Sequence, residues 1–233
     1  MVDEMMKPVF QYAFFDLDGT LTQSEFGILN SILYALEKMN YKVEDKERIK
    51  CFIGPPLVQS FMQFCQMSEE DAKQATAYYR EHYNGGEMFN APLYEGIEET
   101  LRDLYEKGVK LYVVTSKPTF FAQRIVEHFD ILKFFEKVVG PELKDVNYSK
   151  EELICQAMYD ISPDDHDAIR STCVMVGDRM YDIEGAVNNR IASIGVLYGY
   201  GSEEELRDAG ATFIAKDARE VGSIILGNGN VVK

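Results

Sequence analysis

The chain has no run of about 18 apolar residues, so no membrane-spanning helix is expected. It is also short of basic residues: 24 Lys and Arg stand against 39 Asp and Glu, a formal net charge of −15. A general nucleic-acid binder neutralises phosphates with clustered Lys and Arg, so that class is not expected. A small anionic substrate stays open, because a local pocket or a bound metal reverses the field of the whole protein. Cysteine and histidine are scarce. Cys51, Cys65, Cys155 and Cys173 contain no Cys-x-x-Cys pair, and His82, His128 and His166 are too scattered for a zinc site. Cys51 and Cys173 lie in or beside apolar stretches, which points to buried, reduced thiols and a cytoplasmic location. The stretch from Met1 to Lys7 carries two acids and lacks the apolar core of a secretory signal.

What is present is ordinary globular material. The 233 residues are 46% hydrophobic and 27% charged, enough apolar area to offset the entropy of ordering one large domain or two modest ones. Val9 to Phe15 is short, apolar and aromatic and stops at Asp16, as a buried strand does. From Ser24 to Met39 apolar residues recur at helical spacing, with Ser24 as the expected cap. Residues from about 40 to 86 read as helical in short pieces, broken at Gly54-Pro55-Pro56 and restarted at Ser68-Glu69-Glu70-Asp71. Tyr78, Tyr79 and Tyr83 fit packing within that stretch.

After Pro92 the pattern changes. Helices are expected from Ile97 to Glu106, Thr119 to His128, Lys150 to Tyr159, Tyr181 to Asn188 and Glu203 to Ala209. Between them fall strands at Lys110–Val114, Val138-Val139, Cys173–Val176, Ala192–Leu197 and Thr212–Ile214. The alternation calls for a Rossmann-like parallel sheet covered on both faces. The expected architecture is an α/β core of residues 1–22 and 90–233 with an all-helical insert at 23–89. Gly227-Asn228-Gly229-Asn230 reads as a frayed tail.

Polar residues gather where these strands end: Asp16-Leu17-Asp18-Gly19-Thr20, Thr115-Ser116, and Gly177-Asp178 with Asp182 one helical turn on. Ligands of open α/β sheets bind outside such strand ends. Read singly, Thr115-Ser116 suits a helix cap and Asp182 an acid in a first helical turn. Neither reading explains why all of them fall at strand ends. Crowded carboxylates repel, and a hard cation such as magnesium relieves them while leaving places for water and phosphate oxygens. A carboxylate beside it is a candidate nucleophile, and an acid two residues on is a candidate proton shuttle.

Asp16-Leu17-Asp18-Gly19-Thr20, Val113-Val114-Thr115-Ser116 and Gly177-Asp178-Arg179-Met180-Tyr181-Asp182 resemble the first, second and fourth motifs of the haloacid-dehalogenase-like hydrolases, in the branch with a helical cap between the first two. Ile53-Gly54-Pro55-Pro56-Leu57 and Gly199-Tyr200-Gly201-Ser202 are similar to the phosphoglycolate-phosphatase-like set, which includes nucleotidases. The resemblance implies Asp16 as nucleophile, Asp18 as acid and base, and Thr115 and Ser116 as phosphate ligands. It also implies Mg2+ on Asp16, the Asp18 main-chain carbonyl and Asp178, with Asp182 in support. For the third-motif lysine it offers Lys150, which opens a helix, or Lys144 six residues earlier, with Lys150 preferred. Lys117 fits either a surface position or the mouth of the pocket.

The resemblance further implies a cap that closes over a small phosphorylated metabolite; with the charge balance and apolar runs described above, neither nucleic acid nor membrane is expected as partner, and a monomer or homodimer is expected. A phosphatase is expected. Thr20 is like the phosphatases, where sugar phosphomutases of the same fold tend to carry Val; the mutase, and a catalytically silent phosphate-binding domain, are the alternatives.

Overall fold

The computed structural model describes residues 8–42, 47–53, 57–143, 148–165 and 167–227. The chain divides into two compact units, Met1–Thr22 with Leu93–Lys233, and Gln23–Pro92.

The first strand, β1, is Tyr12–Phe15. It is shorter than the apolar run because Val9 is exposed and the amides of Phe10 and Gln11 bond outside the sheet, to Ile225 and Thr172 carbonyls. The second unit follows. It holds α1 (Glu25–Lys38), α2 (Leu57–Cys65) and α3 (Glu69–Asn84), and no strand among its described residues. Ser68 caps α3 by accepting the Asp71 amide at 3.1 Å. Ser24, in contrast, does not cap α1: it is buried, helical in conformation and makes no side-chain cap bond. Helices α1 and α3 are pinned by Tyr34 stacked on His82 at 4.4 Å, and Ser31 Oγ meets His82 Nδ1 at 3.2 Å. Tyr79 and Tyr83 are buried and stacked on each other, while Tyr78 is half-buried. The expected break at Gly54-Pro55-Pro56 lies outside the described residues.

The first unit resumes with α4 (Ile97–Glu106), β2 (Lys110–Val114), α5 (Thr119–His128) and β3 (Phe135–Val139). Then come α6 (Lys150–Ile161), β4 (Cys173–Gly177), α7 (Met180–Asn188), β5 (Ala192–Val196), α8 (Glu203–Asp208), β6 (Phe213–Ala215) and α9 (Ala218–Leu226). The strand β3 begins three residues before the expected Val138-Val139. It is an edge strand, and its Glu136 and Lys137 are exposed, which hides the strand from an apolar-run reading. Helix α9 has no counterpart among the expected elements; it is capped by Asp217, which accepts the Glu220 amide at 2.9 Å, and ends at Gly227 with φ +82°. Cys173 is buried as expected, whereas Cys51 is only half-buried; Cys65 is buried and Cys155 exposed, and all four are free thiols.

The six strands run in the order β3-β2-β1-β4-β5-β6, and every pair is parallel. Between β1 and its neighbours β2 and β4 the order reverses, which opens a crevice at the carboxyl ends of these strands. Phe14, Val114, Cys173 and Met175 are buried under α6 and α7 with Leu153, Ile154 and Ala186. Each large side chain so buried contributes about 1.5–3 kcal/mol. This packing fixes the height at which the strand ends present their polar residues.

Candidate active site

Asp16 directly follows β1, and its amide still donates to the Val176 carbonyl of β4 at 2.9 Å. The ladder therefore fixes Asp16 at the sheet edge. A tight turn comes next: the Leu17 carbonyl accepts the amides of Leu21 and Thr22, each at 2.9 Å, and Gly19 takes φ +84°. That angle favours glycine, and a Cβ there would also collide with the Asp178 carboxylate. Asp178 follows β4 and Thr115 follows β2, so neighbouring strands deliver all three residues to one edge.

Carboxylate oxygens of Asp16, Asp178 and Asp182 lie within 4.8 Å of one another. Asp182 is held in the first turn of α7, where its Oδ2 accepts the Arg179 amide at 3.2 Å. Lys150, the first residue of α6, is buried and stands among them. Its Nζ is 2.9 Å from Asp16 Oδ1 and 2.8 Å from Asp182 Oδ1, and it donates to the Val114 carbonyl at 3.1 Å. One ammonium thus ties the ends of β1 and β2 to α7. Burial alone would pull the Lys150 pKa down, but the charges and hydrogen bonds of Asp16 and Asp182 carry it above the usual range. Lys144 lies outside the described residues.

Asp178 is fully buried and has no such cation: among the described residues no lysine or arginine forms an ion pair with it. Burial, then the charges of Asp182 and Asp16, push its pKa up to about 8. The Asp182 carboxyl is also raised, by burial first, against the pull of Lys150. Asp16 Oδ1 and Asp182 Oδ1 are buried without a well-angled hydrogen bond among the described residues, although each lies within ion-pair distance of Lys150. All-oxygen donors that repel one another, three carboxylates against the one Lys150 ammonium, are the chemistry that a hard divalent cation satisfies. The set fits magnesium.

The Asp18 carboxylate is not part of that cluster. Its carboxylate pairs with Lys117 Nζ at 2.7 Å, and both side chains are largely buried. Lys117 also donates its amide to Thr115 Oγ1 at 3.2 Å, and Thr115 is buried. Lys117 is therefore part of the site rather than of the surface. Ser116 is exposed on the same turn. Thr20, fully buried, donates to Asp178 Oδ1 at 3.2 Å, and the Tyr200 amide donates to Asp178 Oδ2 at 2.8 Å. The loop after β5 can come this close because Gly199 has no side chain; a Cβ there would overlap the Asp178 side chain. Glu205 of α8 secures the entry to α7, accepting Arg179 Nε at 2.8 Å and the Met180 amide at 2.9 Å.

The chain is similar to known proteins over most of its length. Residues 13–196 match a family model described as haloacid dehalogenase-like hydrolase. A 5'-nucleotidase of Pseudomonas aeruginosa is 39% identical over 211 residues, spanning 91% of this chain and 93% of that protein. The tyrosine-protein kinase PtkA of Mycobacterium tuberculosis is 32% identical over 208 residues, 89% of this chain and 69% of that protein. A crystal structure of a predicted phosphatase from Clostridium acetobutylicum superposes with a TM-score of 0.84 at 42% identity, covering 94% of this chain and 99% of that one.

Proposed function

The chain belongs to the haloacid dehalogenase-like hydrolases and is a phosphatase, and from that premise we propose that it hydrolyses a small phosphomonoester with Mg2+ through an aspartyl phosphate on Asp16. The observation that carries this reading is the meeting of the Asp16, Asp178 and Asp182 carboxylates within 4.8 Å at the carboxyl edge of the sheet. Asp16 and Asp178 would hold the metal with the Asp18 carbonyl, and Asp182 supports them. Bound there, magnesium supplies the positive charge that neutralises phosphoryl oxygens.

The chain's own residues divide the remaining work. An Asp16 oxygen attacks phosphorus, the bond to the leaving oxygen breaks, and Asp18 gives that oxygen its proton. Asp18 then takes a proton from water as the water attacks phosphorus. Inorganic phosphate leaves and the Asp16 carboxylate returns. Thr115 accepts from the Lys117 amide, which leaves its own O–H to donate to a phosphoryl oxygen. The Ser116 amide is a second donor, and Lys150 neutralises charge from below while it orients Asp16.

A nucleoside monophosphate is the favoured substrate, on the strength of the nucleotidase relative, with phosphoglycolate second. Free thiols at all four cysteines suit a reducing compartment, the cytoplasm. No described helix is long and apolar enough to cross a membrane. The test is phosphate release across a metabolite panel, with Mg2+ and with chelator, for wild type and Asp16→Asn. Release that needs both Mg2+ and Asp16 supports the reading. Release indifferent to Asp16 contradicts it, and isomerised product without free phosphate would indicate a mutase.

A further inference from the structure

We infer that Thr20 is the positioning residue of the metal site: its hydroxyl fixes the plane of the Asp178 carboxylate so that the carboxylate is ready for a divalent cation. The inference deepens the proposed function and rests on its assignment of Asp178 as a metal ligand.

The three carboxylates are held in different ways. Asp16 and Asp182 share the Lys150 ammonium, at 2.9 and 2.8 Å. Asp178 has no ion pair among the described residues and is held by neutral donors. Thr20 Oγ1 donates to Oδ1 at 3.2 Å, and the Tyr200 amide donates to Oδ2 at 2.8 Å. With one donor on each oxygen, rotation of the carboxylate about its Cβ–Cγ bond breaks at least one of them. Without the Thr20 hydroxyl, the Tyr200 amide is the one donor left to the carboxylate among the described residues, and the plane is free to turn about it.

Both donors are themselves locked. Thr20 sits in the Gly19 turn, fully buried, with its amide bonded to the Leu17 carbonyl at 3.3 Å. The Tyr200 amide reaches Asp178 because Gly199 presents no side chain to it. Of the two, only the threonine donor is a side chain, so it is the one that substitution can remove without moving the backbone. Partners that orient a metal-binding carboxylate typically change affinity by about 10–100-fold when removed. The hydroxyl also compensates part of the cost of burying an ionised carboxylate, which the apolar isostere valine does not.

The decisive comparison is Thr20→Val, which keeps the shape and loses the donor, with Thr20→Ser, which keeps the donor and loses a methyl group. Mn2+ binding to the purified chain, followed by the loss of its free-ion resonance, reads affinity without reference to activity. Thr20→Val is expected to weaken Mn2+ binding by about 10-fold or more and Thr20→Ser to stay near wild type. Turnover lost in Thr20→Val should return at saturating Mg2+, since the reacting residues are untouched. Equal affinity in wild type and Thr20→Val overturns the inference, as does a Thr20→Ser as weak as the valine variant, which would make packing the cause. Should Thr20→Val fail to fold, a crystal structure of the wild type with Mn2+ decides: the hydroxyl on the Asp178 carboxylate supports the inference, and a hydroxyl turned elsewhere overturns it. A wild type that binds no Mn2+ overturns the metal assignment itself, whereas one that binds while Thr20→Val binds equally overturns only the role of Thr20.

Discussion

Lys117 Nζ lies 2.7 Å from the Asp18 carboxylate, joining residues 99 positions apart on the turns that follow β1 and β2. The contact holds the carboxylate assigned to proton transfer. Lys117→Met removes that hold and should slow substrates with alkoxide leaving groups by about 10–100-fold, less than the roughly 100–10,000-fold that a general acid contributes, because Asp18 itself remains. Para-nitrophenyl phosphate should slow much less, since its leaving group departs without a proton. The check is kcat/KM for both substrates; equal losses would mean that Lys117 does not act through Asp18.

Lys150 bridges two carboxylates in a buried setting, so its removal leaves charge uncompensated. Lys150→Met should lower folding stability by about 3–5 kcal/mol as well as activity. Adding Asp182→Asn should recover part of the stability and none of the activity. Denaturant unfolding of the single and double variants measures this. A double variant less stable than Lys150→Met would contradict the pairing.

Metal binding should depend on pH in a definite sense. Asp178 has a pKa of about 8 in the metal-free protein, raised by burial and then by Asp182 and Asp16. Below that value a cation must displace its proton, so apparent Mn2+ affinity should climb as pH rises to about 8 and level off above it. The raised value also means that the metal-free fold loses stability as pH climbs from about 4 to about 8. Bound metal should abolish that loss. Calorimetric titrations across the range check it, and an affinity flat between about pH 6 and pH 9 would contradict it.

Much of the fold is legible in the residues because pattern and punctuation agree. Ile97–Glu106, Lys110–Val114 and Thr119–His128 occupy the expected positions, since Gly108 and Pro118 separate runs of unlike period. Where packing overrides pattern, legibility fails. The charged start of β3 is exposed at a sheet edge, and α9 carries Gly222 in its middle and follows a three-residue strand, so neither shows a clear run. The site divides the same way. Asp16, Thr115 and Asp178 each stand where an apolar strand stops, and that can be read along the chain. That Lys117 meets Asp18, or that Thr20 meets Asp178 across 158 positions, follows only from the order of the strands.

The central claim is that Asp16 accepts the phosphoryl group. The most direct measurement is a crystal structure with Mg2+ and beryllium trifluoride, a mimic of a phosphoryl group bonded to a carboxylate. The account predicts beryllium bonded to an oxygen of Asp16, with fluorines facing Thr115 and Lys150. Beryllium on any other side chain, or none on Asp16 in protein that turns over substrate, would contradict it.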